Sequence, residues 1–280
     1  MPRTSYAGNH EDIVLTRAFV GITDGFFIDI GAAHPTDGSV TKLLYDAGWS
    51  GLNVEPLPAF VNLLLRDRPR DITVACAVSD RDGGQIELAY GASAYGASAD
   101  IDAVRLRTSA ERDLTHITTP LRSVDSLWRA EAEGRHVHLL KIDVEGMELP
   151  ALQGTDLAAM NPEVVMVEAT EPYSTTPSHA AWEPLVLSAG YQCALFDGVN
   201  RFYARPENAA LFARLSVPAN VLDDFIPAAY QRALEELAEL RDLTAQGGQR
   251  AGHKESAVGT AAGPSKNSGR SRWLRRGARR

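Results

Sequence analysis

Leu139-Leu140-Lys141-Ile142-Asp143-Val144-Glu145-Gly146-Met147-Glu148 is the stretch from which the fold of this chain is read. It starts apolar, with strand character, and ends abruptly in charged residues grouped about one glycine. Burying such charges is costly unless they meet a ligand, a metal or one another. In an open α/β sheet, ligands bind beyond the carboxyl ends of the strands. A buried strand over residues 137–142, running into this turn, therefore predicts a parallel sheet with its site at that end.

Outward from this stretch, strand-length apolar runs alternate with helix-length segments, the signature of a parallel sheet with helices on its faces. Toward the N-terminus, residues 11–20 predict a helix, 26–30 a first strand, 31–38 a glycine-bearing turn and 39–47 a helix. A second strand follows at 52–54, a helix at 60–66 and a third strand at 72–78. Residues 84–125 break the rhythm with a strand at 85–89, a small-residue loop at 91–99 and a β-like segment at 115–121. They read as a β-rich insertion covering the site. A helix at 126–132 leads into the fourth strand, and 164–168 is the fifth. After a helix at 182–189, residues 191–196 and 201–204 flank Asp197-Gly198-Val199-Asn200, a hairpin signal. Residues 221–244 predict an amphipathic helix with Leu234, Leu237 and Leu240 on an apolar stripe, for which core packing is the default reading. Residues 246–280, rich in Gly, Ser, Ala and Arg, are expected to be disordered. The expected organisation is a domain over 1–210, a helical extension over 211–245 and a basic tail over 246–280.

The 280 residues, 44% of them hydrophobic, are enough for a sizeable core, and the formal net charge is −8. The charge is unevenly spread. Nine Lys or Arg against Glu255 give residues 246–280 a charge of +8, which leaves −16 on residues 1–245. Phosphate affinity needs clustered Lys and Arg, so the acidic body argues against nucleic acid as a partner. Cys76 and Cys193 show neither metal-ligand nor disulfide-framework spacing. No basic-then-apolar leader and no apolar run of transmembrane length occurs, so the expectation is a soluble, cytoplasmic protein without a transmembrane segment.

Phe26-Phe27-Ile28-Asp29-Ile30-Gly31-Ala32-Ala33-His34-Pro35 reads as a strand followed by a glycine turn. Gly31 allows close backbone approach, and the helix start beyond it favours an anionic group. The spacing lacks a full G-x-G-x-x-G dinucleotide fingerprint. Glu55, 24 residues after Gly31 and at the end of the second strand, is placed to accept both hydroxyls of a ribose. Ser79-Asp80 follows the third strand, where a carboxylate or hydroxyl suits an adenine amino group, although Asp82-Gly83-Gly84 is also plain turn chemistry. The seven histidines show no metal spacing.

Together these residues resemble the FkbM-type methyltransferases, which use S-adenosylmethionine (SAM). The resemblance covers roughly residues 5–205. It is carried by Asp29-Ile30-Gly31-Ala32, Asn53-Val54-Glu55-Pro56, Ala77-Val78-Ser79-Asp80-x-x-Gly83 and, above all, Leu140–Glu148 with Leu152-x-Gly154 behind it. Glu11-Asp12, His34-Pro35, residues 164–171 and residues 197–203 are similar to a polysaccharide-associated branch. The resemblance implies the class I SAM-methyltransferase fold, a Rossmann-like seven-stranded sheet whose last strand is antiparallel. It implies methyl transfer to oxygen, commonly a hydroxyl of a sugar, glycan or natural product. Asp143 would deprotonate or align that hydroxyl, with His34 as a second base. Asp29, Gly31, Ala32, Glu55, Ser79, Asp80 and Glu145 would hold the cofactor, and Tyr173, Asn200 and Arg201 would face the acceptor. Glu148 is favoured as a helix-starting acid. No metal ligand is assigned: a carboxylate-bound Mg²⁺ is compatible with these acids, but nothing demands one. Homo-oligomerisation stays open. The rival readings are a nicotinamide-dependent oxidoreductase, against which the missing fingerprint and the terminal hairpin count, and a non-catalytic binding protein of the same fold.

Overall fold

The computed structural model describes residues 2–91, 114–172, 174–241 and 243. The chain divides into two compact units, Met1–Ala228 and Ala229–Arg280. In the first, the strands in chain order are β1 (Arg3–Ser5), β2 (Phe26–Ile30), β3 (Ser50–Val54), β4 (Ile72–Val74), β5 (Ala77–Val78), β6 (Gln85–Tyr90), β7 (Thr115–Arg122), β8 (Leu139–Ile142), β9 (Val164–Glu168), β10 (Gln192–Phe196), β11 (Asn200–Ala204) and β12 (Phe225–Pro227). The main sheet is seven-stranded, in the order β10-β11-β9-β8-β2-β3-β4. β2, β3, β4, β8 and β9 are parallel, and β11 inserts antiparallel between β9 and β10. This is the class I methyltransferase sheet, with its antiparallel hairpin closing one edge.

The central strands are parallel because both their faces can be buried. Every residue of β2, β8 and β9 is buried, and most are Val, Ile, Leu or Phe. Alternation along each strand divides the core in two. Phe27, Leu139, Val164, Met166 and Phe202 face one side, with Val14 and Leu15 of the helix Glu11–Ala18 and Leu211 of the helix Ala209–Leu215. Ile28, Ile30, Leu140, Ile142, Val165 and Val167 face the other, with Leu127 and Trp128 of the helix Val124–Glu131.

Several expectations need correction. The third strand, read as continuous over 72–78, is two strands. β4 closes the main sheet, while β5 leaves it and pairs in parallel with Leu121 and Arg122 of β7. β5, β7 and β6 make a separate three-stranded sheet, so the irregular region does contain a β-rich cover. The small-residue loop expected at 91–99 lies outside the described residues beyond Gly91. The helix expected over 39–47 is confined to Lys42–Asp46. Ser39 and Thr41 are instead buried, where the Arg68 guanidinium donates to their hydroxyls and to the Pro35 carbonyl.

The first unit also runs past the expected boundary at 210, through Ala228. The helix Ala209–Leu215 shares a core with Glu11–Ala18, and β12 pairs in parallel with β1. Residues 221–227 are therefore not helical, as expected, but a 3₁₀ turn (Val221–Asp223) and β12. In the second unit, residues 229–241 are helical. Leu234, Leu237 and Leu240 are 45%, 44% and 59% exposed rather than packed in a core. Glu235, Glu236, Glu239 and Arg241 surround them, so the stripe is narrow. Among the described residues, no helix is long and apolar enough to cross a membrane.

Candidate functional site

The site begins where β2 and β8 run side by side with Asp29 opposite Lys141. Both side chains are buried on the same face. The Lys141 ammonium donates to the Gly31 carbonyl at 2.7 Å, lies 3.1 Å from Oδ1 of Asp29 and 3.5 Å from Oδ2 of Asp143. The other Asp29 oxygen accepts from the Thr41 hydroxyl at 2.8 Å. Burial works against the Lys141 ammonium, but attraction to Asp29 and Asp143 outweighs it and raises its pKa above the ordinary lysine value. A buried charge needs such partners to be tolerated at all.

The turns that follow the two strands interlock. Gly31 adopts φ +80°, and a Cβ there would lie 1.8 Å from the Asp143 carbonyl oxygen. No other residue fits this crossing. After Asp143 the chain turns through Glu145 and Gly146, both left-handed at φ 53° and 99°. Glu148, at the start of the helix Glu148–Gln153, reaches back to accept the backbone N–H groups of Val144 and Gly146. At the far end of that helix, a Cβ on Gly154 would lie 2.2 Å from the Ser79 carbonyl oxygen, which accounts for the glycine in Leu152-x-Gly154.

Above these strand ends lies a cleft whose empty space, open mouth included, is about 700 Å³. Its apolar lining comes from Ile30 and Val54 of the main sheet, Cys76, Ala77 and Val78 around the strand break, and Ile86 and Leu88 of β6. Burial pushes the Cys76 thiol up to about 11, so it is a neutral wall residue. Its acidic groups are Glu55, Asp143 and Glu145. Glu55 bridges two loops, accepting the Leu57 N–H on Oε1 and the Ala33 N–H on Oε2, each at 2.8 Å. Burial pushes its carboxyl up to about 7, against the pull of those two hydrogen bonds and of Lys141. Each carboxylate oxygen keeps a further lone pair for a ligand hydroxyl.

Of the residues singled out from sequence, Gly31, Glu55, Asp143 and Glu145 line this cleft. The others stand differently. Asp29 is turned beneath the cleft, engaged by Lys141 and Thr41. Ala32 is buried beside Gly31 and is not among the lining residues. Ser79 donates to the exposed Asp80 at 3.0 Å, and neither lines the cleft, because the break after β4 turns Cys76–Val78 inward instead. His34 accepts the N–H groups of Thr36 and Asp37 on Nδ1, at 3.1 and 2.9 Å, and so caps its own turn. Asn200 is buried and donates to Oε1 of Glu11. Arg201 follows it on β11, so it points to the opposite face, donates to Glu183 at 2.6 Å and stacks on Phe196. Tyr173 lies outside the described residues. Sequence reasoning missed the apolar wall. Its signal was the alternation that sends Ile86 and Leu88 of β6 to one side.

Among the described residues, His136, His138 and Glu163 are the group that brings three metal-ligating atoms within 4.8 Å. They sit by the N-terminal ends of β8 and β9, opposite the cleft. His138 accepts the Phe26 N–H on Nδ1 at 3.1 Å. Its ring proton is therefore on Nε2, which leaves that nitrogen without a lone pair for a metal.

A family model, the methyltransferase FkbM domain, matches residues 29–193, more than half of the chain. Two solved structures are similar in outline. One is a TehB-like SAM-dependent methyltransferase from Corynebacterium glutamicum ATCC 13032 Kitasato, with 9% identity, 70% of this chain and 87% of that chain covered, and a TM-score of 0.38. The other is CalO1, a methyltransferase in calicheamicin biosynthesis in its SAH-bound form, with 12% identity, 70% and 53% covered, and a TM-score of 0.33. No curated protein matches the chain.

Proposed function

This chain belongs to the FkbM methyltransferase family, and we propose that it transfers a methyl group from SAM to a hydroxyl oxygen of a sugar, glycan or glycosylated natural product. The carrying observation is the make-up of the cleft at the strand ends. Its apolar residues Val54, Cys76, Ala77, Val78, Ile86 and Leu88 suit a flat aromatic base, and its acids Glu55, Asp143 and Glu145 suit ribose hydroxyls and an ammonium group. When bound, SAM supplies a methyl carbon activated by a sulfonium. Glu55 accepts the ribose hydroxyls, and Gly31 brings backbone close to the amino-acid portion. Asp143, its side chain 35% exposed and braced by Lys141, accepts a hydrogen bond from the acceptor hydroxyl and holds it in line. Alignment of this kind is the main requirement of a displacement reaction.

The hydroxyl class follows from the strand-end acids and from the lack of the Asn/Asp-Pro-Pro-Tyr/Phe motif that amino-group methyltransferases carry at this position. Incubation with labelled SAM and a panel of glycans, amines, catechols and nucleic acids tests the proposal. Label should appear on a carbohydrate oxygen. Label mainly on nitrogen, or on an aromatic hydroxyl, would replace the substrate class.

A further inference from the structure

A file of buried polar side chains leads away from Asp143 beneath the cleft. Asp143 lies 3.5 Å from the Lys141 ammonium, which lies 3.1 Å from Oδ1 of Asp29. Oδ2 of Asp29 accepts the Thr41 hydroxyl at 2.8 Å, and Nη1 of Arg68 donates to that hydroxyl at 2.9 Å. Arg68 follows the helix Pro58–Asp67 and lies 3.8 Å from the Asp71 carboxylate. Thr41, Asp29, Arg68 and Lys141 are all buried, and none of them lines the cleft. A file of this kind is often no more stabilising than apolar packing of similar volume, so stability alone does not account for it.

Thr41 sets the direction of the file. Arg68 can only donate, so the Thr41 hydroxyl accepts from Arg68 and its single proton goes to Asp29. That bond turns one Asp29 oxygen toward Thr41 and leaves the other for Lys141. Thr41 also stands at the N-cap of the helix Lys42–Asp46, where a threonine hydroxyl ordinarily caps the helix. It makes no cap bond here and is turned into the file instead. At the far end, the Lys141 ammonium holds two groups of the site at once, the Asp143 carboxylate and the Gly31 carbonyl. Asp143 and Gly31 both line the cleft.

We propose that Thr41 is a positioning residue for the methyl transfer: by fixing Asp29 it fixes the Lys141 ammonium, and through it the rotamer of Asp143 that aligns the acceptor. This rests on the methyltransferase reading above. Thr41 touches neither cofactor nor acceptor and acts through Asp143. SAM binding draws on Glu55 and the apolar lining, which the file does not reach, so it is left nearly intact without the Thr41 hydroxyl.

The test is a double-mutant cycle on turnover. Thr41→Val, Thr41→Ser, Asp143→Asn and the double variant Thr41→Val with Asp143→Asn are compared with wild type. The substrates are labelled SAM and the member of the panel above that takes the label. Thr41→Val replaces the hydroxyl by a methyl of similar size and should lower kcat roughly tenfold. Thr41→Ser keeps the hydroxyl and should stay within about twofold of wild type. In the Asp143→Asn background the valine should cost about twofold at most, because the alignment it disturbs is already lost. The Kd for SAM, measured by calorimetry, should change by no more than about threefold in Thr41→Val. A residue that only held the fold together would give losses that multiply. Multiplying losses, a serine variant as slow as the valine one, or valine turnover within about twofold of wild type would overturn the proposal. A further readout needs no change at position 41. In threonine-labelled protein the Thr41 hydroxyl proton, donated to a buried carboxylate, should give a slowly exchanging signal that shifts in Asp143→Asn. A signal that stays in place would equally rule out the coupling. A wild type that fails to bind SAM, or labels no member of the panel, would instead remove the methyltransferase reading, and this proposal with it.

Discussion

The sharpest test of the cofactor site is the pH dependence of SAM binding through Glu55. Its two oxygens already accept the N–H groups of Leu57 and Ala33 at 2.8 Å. Only the ionised form has lone pairs left on both oxygens for two ribose hydroxyls. With the carboxyl pushed up to about 7, roughly one molecule in eleven is ionised at pH 6, half at pH 7 and most at pH 8. The apparent Kd for SAM should therefore fall by about tenfold between pH 6 and pH 8. Glu55→Gln abolishes the titration and sets an amide N–H₂ against a backbone N–H. Hydrogen bonds to a charged group are worth about 1.5–3 kcal/mol, so the variant should bind SAM roughly 10- to 150-fold more weakly at pH 8. Calorimetric titration of both proteins at pH 6, 7 and 8 measures this. A wild-type Kd that stays flat over the range, or a variant with the same slope, would refute the ribose assignment.

Other expectations follow from the same geometry. Asp143→Asn should keep SAM affinity and the fold but lower turnover at least about tenfold, because alignment of the hydroxyl is lost. Turnover within about twofold of wild type would make Asp143 purely structural. Gly31→Ala should lose roughly 3 kcal/mol or more of stability, from strain at a left-handed φ and the clash with the Asp143 carbonyl. An unchanged Tm would contradict the interlocked turns. Burial pushes Glu11 up to about 7. A carboxyl raised in the folded state contributes stability that is fully present below about pH 4.5 and is lost as pH rises through 7. Here that amounts to about 3 kcal/mol. Wild-type Tm should thus drop between pH 5 and pH 8, and Glu11→Gln should drop less. Parallel curves would show that Glu11 does not carry this dependence.

The parallel sheet and its terminal hairpin could be read in advance because each strand carries its own pattern: continuous apolar runs for β2, β8 and β9, and Asp197-Gly198 between two β segments. Gly31, Glu55, Asp143 and Glu145 were legible for the same reason, since a strand end fixes where the next few residues lie. Asn200 and Arg201 were not. They are neighbours in the chain, yet alternation sends them to opposite faces, and only the register of β11 against β9 decides which face meets Glu168. His34 likewise looks like a base in sequence until its Nδ1 is found accepting Thr36 and Asp37.

Local order therefore determined the strands, the sheet type and the strand-end residues of the cleft, since their signals lie within a few residues of one another. Tertiary structure alone decided the rest. It split 72–78 into β4 and β5, folded Ile86 and Leu88 over the cleft, and drew 211–228 into the first unit. It also joined Arg68, Thr41, Asp29 and Lys141 in one file beneath the cleft. These depend on pairings between segments tens of residues apart, and on how charge and burial accumulate where several strands end together. The partners of Thr41 lie on β2 and beyond the helix Pro58–Asp67, and so they are absent from the helical pattern of residues 39–47 by itself.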